Sequence, residues 1–201
     1  MKKQLFVTGI GTEIGKTVAS ATLVKKLGAA YWKPVQAGEL DYTDTHKVQQ
    51  WTDCKSFSEV FALTQPMSPH AAARIDKVQI RLTDFELPRT ENNLIVEGAG
   101  GLMVPINDTG DLIIDLIKHL NIPVVLVSQN YLGSINHTLL SIEALKTRNI
   151  PIYGILFNGE ENLETQNYIL EHSGLKCLGR LPQIETVNAA GIAKLAQSIS
   201  L

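Results

Sequence analysis

Residues Gly9 to Thr17 read G-I-G-T-E-I-G-K-T, which places three glycines, an ammonium group and two hydroxyls in one short stretch. Small residues let successive backbone N–H groups turn toward a single anion, and Lys16 adds a full positive charge beside them. The hydroxyl of Thr17 supplies a hard oxygen of the kind a divalent cation takes. Together these residue types fit a polyphosphate with its magnesium ion. The stretch is a variant of G-x-x-x-x-G-K-[ST]: the first glycine position holds Ile10, and glycines fall on either side at Gly9 and Gly11. A plain strand-to-helix turn that happens to contain Gly-Lys-Thr is the competing reading.

Such a loop works only between a strand and a helix, and the flanks meet that condition. The apolar run Gln4-Leu5-Phe6-Val7 precedes it, and Ile14, Val18, Ala21, Val24 and Leu27 follow at helical spacing. Three further features stand beside strand-like runs. Lys33-Pro34-Val35, then Gly38, follows Tyr31-Trp32; Glu97-Gly98-Ala99-Gly100-Gly101 follows Leu94-Ile95-Val96; Asp44 lies between them. Each has an ordinary alternative. Lys33 reads equally as a surface lysine, Asp44 as the N-cap of the helix carrying Val48 and Trp51, and Glu97 as a strand-end carboxylate capping a turn. Their joint occurrence around a Lys16-Thr17 loop favours chemistry, because a polyphosphate site needs acidic oxygens to hold its metal.

The elements that must position these groups are legible as short apolar runs alternating with helical periodicity. The runs are Leu5–Ile10, Ala30–Trp32, Leu94–Val96, Val124–Val127, Ile152–Phe157 and Cys177–Leu181. Continuous apolarity suits strands buried on both faces of a parallel sheet. Ile113, Leu116, Ile117 and Leu120, and later Ile135, Leu139, Ile142 and Leu145, recur at helical spacing, closed by Pro123 and Pro151. The expected fold is α/β: a P-loop NTPase-type, mostly parallel β-sheet with helices on both faces, in a single domain spanning residues 1–201. In such sheets ligands sit beyond the carboxyl ends of the strands, where these polar residues cluster. Residues 41–88 are the least regular and are expected to carry loops and short helices over the active face.

Bulk properties narrow the function further. A hydrophobic content of 44% over 201 residues is enough for one full core. The formal net charge of −2 argues against nucleic acid, which calls for a basic patch. Cys54 and Cys177 have no paired spacing, so neither a disulfide framework nor a zinc site is indicated. No stretch is long enough to span a bilayer, and a cytoplasmic protein is expected.

The combined residues resemble the dethiobiotin synthetase family. The matching elements are Val7-Thr8 with the Gly9–Thr17 loop, Lys33-Pro34-Val35 with Gly38, Ser68-Pro69-His70, Val96-Glu97-Gly98-Ala99-Gly100-Gly101, Leu132-Gly133 with Ile135-Asn136-His137, and Asn158. They spread over nearly the whole chain, and in this order they are far more specific than the loop alone. The resemblance implies a homodimeric enzyme that builds the ureido ring of dethiobiotin from 7,8-diaminononanoate, CO2 and ATP with Mg2+. It implies Thr17, Asp44 and Glu97 as metal ligands, and Glu13, Ile14, Gly15, Lys16, Thr17 and Val18 as the phosphate loop, with Gly98, Ala99 and Gly100 close to the nucleotide. It further implies Lys16, Lys33 and Thr12 as catalytic groups. Asn158 would read the adenine, with Pro182, Gln183 and Ile184 beside the base and Glu185 a weaker candidate near the ribose. Substrate contacts would come from Lys33, from position 37 and from Gly133 and Asn136 across the dimer interface, at a helix N-terminus. Position 37 holds Ala37 where some members carry a hydroxyl, so a water or a neighbour such as Gln36 would take that contact. Packing or a structural hydrogen bond is expected of His70 and His137.

The main alternative is a partition-type P-loop ATPase switch that acts through protein partners. Such loops carry an additional early lysine, K-G-G-x-G-K-[ST], which Ile10-Gly11 lacks, and Asn188 to Leu201 carries Lys194 as its sole basic residue. A small-molecule kinase would bring an arginine-rich lid, whereas Arg74, Arg81 and Arg89 are scattered.

Overall fold

The computed structural model of the protein describes residues 2–201. Strand β1 (Gln4–Gly9) leads through the glycine loop into helix α1 (Lys16–Leu27), followed by β2 (Ala30–Trp32) and β3 (Val35–Ala37). Helix α2 (Asp44–Thr52), the short strands β4 (Ser56–Phe57) and β5 (Phe61–Leu63), and α3 (Pro69–Ile75) come next. Then β6 (Leu94–Gly101), α4 (Ile113–Leu120), β7 (Val124–Gln129) and α5 (Ser134–Thr147) alternate. The last elements are β8 (Ile152–Asn158), α6 (Leu163–Ser173), β9 (Cys177–Leu181) and α7 (Ala189–Gln197).

Seven strands form one parallel sheet in the order β4-β2-β6-β1-β7-β8-β9, while β3 and β5 pair separately. The period of two along each strand divides the core. Phe6, Trp32, Leu94, Val96, Val124 and Leu126 bury against the face covered by α4, α5 and α6. Leu5, Val7, Tyr31, Ile95, Val125 and Val127 bury against the face covered by α1, α2 and α7. Both faces are covered, which is why the strands read as unbroken apolar runs. The expected α/β architecture is the observed one.

Two expectations need correction, and one ordinary alternative falls. Leu94–Val96 is only the first part of β6, which continues through Glu97 to Gly101 and pairs Gly9 with Gly101. The glycines therefore lie inside a strand rather than in a connection, and Glu97 stands within it rather than at its end. Asp44 is not an N-cap: Thr43 caps α2 by accepting from the His46 N–H, and the His46 ring accepts in return from the Thr43 N–H. Within 41–88 the short helices are present, but so are β4 and β5, which are too brief to show as periodicity.

Candidate functional site

Central strands β1, β6 and β2 end at one concave surface of about 690 Å3. Thr12, Glu13, Gly15, Lys16 and Thr17 line it from the loop and the start of α1. Lys33, Ala37 and Asp44 line it from the segment after β2, and Glu97, Ala99 and Gly100 from β6. The loop turns through left-handed backbone at Glu13 (φ 57°) and Gly15 (φ 87°). A side chain at Gly15 would also meet the Asn158 amide, because a Cβ there would sit 2.2 Å from Nδ2. No side chain caps α1, so its leading N–H groups have no partner from a cap and border the cleft. An anion placed there would complete them.

Behind the loop lies a buried charge network. Glu97 is 1% exposed and accepts on Oε1 from the Thr17 hydroxyl at 2.9 Å and from Lys33 Nζ at 3.2 Å. Its Oε2 accepts from the phenol of Tyr31 at 2.8 Å. Lys33 is also ion-paired with Asp44, whose other oxygen lies 3.3 Å from Lys47 Nζ. Lys47 in turn reaches Glu39 at 2.7 Å. Burial alone would push Lys33 toward neutrality, but Glu97 and Asp44 outweigh it and hold the ammonium above its usual value. Burial likewise raises the Asp44 carboxyl, but Lys33 and Lys47 draw it below the usual range. Tyr31, shut in with Glu97, is held well above the normal phenol value by burial and by that carboxylate, so it is a fixed donor.

Lys16 differs. Among the described residues its Nζ donates only to the Gly11 carbonyl, at 2.9 Å. Desolvation lowers its pKa to about 8, with Glu97 resisting and Lys33 adding repulsion. It is a buried cation still short of an anionic partner.

Thr17 Oγ1 with the carboxylates of Asp44 and Glu97 forms an all-oxygen donor set bordering one cleft. Among the described residues no group of three or more His, Cys, Asp or Glu could hold a metal by itself. Mg2+ commonly takes one or two carboxylates and draws its remaining ligands from water and phosphate, so the set fits that ion beside a polyphosphate.

Other expected residues fall elsewhere. Asn158, at the end of β8, donates to the Ile14 carbonyl at 2.9 Å and so touches the loop. It pairs in register with Leu181, after which Pro182, Gln183 and Ile184 leave the sheet beside it, with Glu185 exposed. Gly133 and Asn136 do not join the loop cleft. They line a second concavity of about 700 Å3 with Tyr131, Leu132, Glu160 and Tyr168. His137 shares a hydrogen bond of 2.7 Å with the Tyr131 hydroxyl. His70 stands near the start of α3, where its N–H donates to Pro105. Val18 and Gly98 belong to α1 and β6 without lining the cleft. Tyr31 and Lys47 were not expected at the site. The contact of Tyr31 depends on strand register, which composition does not encode, whereas Lys47 was within reach of the sequence as the residue at i+3 from Asp44 on one helix face.

A parallel sheet with its glycine loop running into an uncapped helix, and a lysine, a hydroxyl and carboxylates at that end, defines a P-loop nucleotide-binding protein. The fold agrees with MinD from Pyrococcus horikoshii in complex with Mg-ADP (TM-score 0.62, 13% identity, 98% of this chain and 95% of that one). It agrees also with a ParA family ATPase from Chlorobium tepidum (TM-score 0.54, 13% identity, 98% and 99%). A family model described as an AAA domain matches residues 3–190. The chain is 50% identical over 186 residues to the ATP-dependent dethiobiotin synthetase of Christiangramia forsetii, covering 91% of this chain and 89% of that protein. It is 45% identical over 191 residues to that of Brucella ovis, covering 94% and 90%. The chain belongs to the family of ATP-dependent dethiobiotin synthetases, which are ligases. No helix among the described residues is long and apolar enough to cross a membrane.

Proposed function

We propose that residues 1–201 act as one ligase domain that carboxylates 7,8-diaminononanoate and closes its ureido ring at the expense of ATP, giving dethiobiotin, ADP and phosphate. The observation that carries this reading is the single cleft where the loop, Lys16 and Lys33 border the same space as Asp44 and Glu97. One amine of the substrate adds to CO2 and loses a proton, forming a carbamate. A carbamate oxygen attacks the γ-phosphorus and ADP departs, leaving a carbamic–phosphoric anhydride. The second amine attacks the carbonyl carbon, phosphate leaves, and the ring closes.

The residue types answer the electrostatics of those steps. A carbamate and a triphosphate repel each other, so Lys16 on the phosphate side and Lys33 on the substrate side neutralise both. Thr12, at the mouth of the cleft, offers a hydroxyl to the reacting oxygens, while Gly15, Thr17 and the start of α1 hold the phosphates. Thr17, Asp44 and Glu97 would hold Mg2+, which would supply neutralising charge beside the phosphates. Little covalent help is needed, and positioning carries most of the rate. Asn158 and residues 182–184 receive the adenine.

Gly133 and Asn136 serve the loop cleft of a second copy. The chain therefore works as a homodimer, with the tail carboxylate of the diamine at the uncapped N-terminus of α5. Support comes from their separation from the loop cleft of their own chain, together with exposed Tyr131, Leu132 and Tyr168 around them. The test is an incubation with ATP, Mg2+, bicarbonate and the diamine. Dethiobiotin should form only when all four are present, with one ADP per ring. ATP hydrolysis that ignores CO2 and diamine would favour a partition-type switch instead.

A further inference from the structure

The wall of the loop cleft that follows β2 offers few groups to an incoming anion. Ala37 has no polar side-chain atom. Gln36 is buried there and ties both ends of its amide to backbone: Nε2 donates to the Gly38 carbonyl at 2.9 Å, and Oε1 accepts from the Asp44 N–H at 3.4 Å. Lys33 shares its charge with two carboxylates, and its side chain is only 8% exposed. Lys47 borders the same space from the first turn of α2, with its side chain 23% exposed.

An ammonium has three donors, and that of Lys47 meets two acceptors within the chain, Glu39 at 2.7 Å and Asp44 at 3.3 Å. Glu39 is a loose tether, because its side chain is 66% exposed and an ion pair in that setting holds little. The turn that carries it is nonetheless fixed. Gly38 (φ 74°) and Glu39 (φ 53°) are both left-handed, and a Cβ at Gly38 would lie 2.6 Å from that of Pro66. Glu39 therefore keeps Lys47 beside the cleft without using up its donors.

We propose that Lys47 is a further substrate-binding residue, whose ammonium recognises the carbamate formed from the diamine and CO2. This assignment rests on the carbamate chemistry proposed above. An amine, neutral or protonated, gives Lys47 no anion to bind. A carbamate brings two anionic oxygens beside the triphosphate, where a second cation next to Lys33 is needed. The competing explanation is that Lys47 only balances Asp44. Its loss would then alter metal and nucleotide affinity, but not the discrimination between amine and carbamate.

Calorimetric titration of the diamine into protein holding Mg2+ and a non-hydrolysable ATP analogue, with and without bicarbonate, separates the two without turnover. The ratio of the two affinities is the readout, since a change at the metal or the nucleotide enters both titrations. Bicarbonate should tighten binding to the wild-type protein by about tenfold or more. Lys47→Gln should reduce that gain about five- to tenfold, whereas Lys47→Arg, which keeps the charge, should retain most of it. An unchanged ratio in Lys47→Gln overturns the inference, as does an equal fall in Lys47→Arg. A wild-type protein that gains nothing from bicarbonate overturns the carbamate reading itself, and this one with it.

Discussion

Around Glu97 the ionised side chains find partners within the same chain: Lys33 binds two carboxylates, Asp44 binds two lysines, and Thr17 and Tyr31 donate to Glu97. Around Leu132 the chain does the opposite. Tyr131, Leu132, Leu163 and Tyr168 stand exposed, and Asn130 keeps a buried amide oxygen without a partner. Both regions nonetheless begin a helix in the same way. Helices α1 and α5 start from left-handed glycines, Gly15 and Gly133, with no capping side chain, whereas α2, α6 and α7 are capped by Thr43, Asn162 and Asn188. The difference teaches that the loop cleft is preorganised by its own chain, apart from the anion that Lys16 lacks. The Leu132 region carries exposed apolar side chains around a concavity that its own chain leaves open, as the proposed homodimer would require.

That contrast is open to direct attack. Lys16→Ala should cost the most, about a thousandfold in kcat, because it deletes a buried cation that makes no ion pair among the described residues and faces the phosphate loop. The loss should appear with either substrate saturating. Asn136→Ala should cost less and elsewhere: about 10- to 100-fold in KM for the diamine, the worth of a hydrogen bond to a carboxylate, with nucleotide affinity unchanged. Mixing the two defective proteins is the sharper experiment. If the site spans two chains, hybrid dimers pair one intact loop with one intact Asn136 and recover part of the activity. No recovery despite verified hybrid formation would return Asn136 to its own chain and erase the contrast.

Much of the loop cleft was legible because phosphate chemistry needs neighbours in sequence. Gly9 to Thr17 announce themselves, and the buried strands announce themselves as apolar runs. Glu97 was visible as an acid beside such a run, but the extent of its strand was not. Glycines after an apolar stretch read as a turn, and only their pairing with β1 shows that they continue the sheet. Tyr31 was invisible for a similar reason: as an aromatic in a core strand it looks like packing, and its hydroxyl gains meaning from the offset between β2 and β6. The separation of Asn136 from the loop was implied only by the family resemblance, since a chain pattern alone does not say whether two motifs meet within one molecule or between two.

The smallest effect is also the one that isolates the preorganised region. In the free protein Lys16 loses its proton near pH 8, well below an ordinary lysine, because burial opposes its charge. A bound phosphate stabilises the ammonium, so ADP affinity should fall as pH rises above about 8, by about fivefold between pH 8 and 9, with the slope tending to one proton per unit above that. Folding stability should respond in the opposite sense. Below about 8 both folded and unfolded chains carry the proton and the cost of burying it is constant. Between about 8 and the ordinary lysine value of 10.5 the unfolded chain binds more protons, so this group makes the fold more stable as pH rises. Alkaline loosening of the whole protein would weaken affinity and stability together. Titration of Lys16 moves them apart, and the affinity slope should vanish in Lys16→Met, which keeps the side-chain length without the charge.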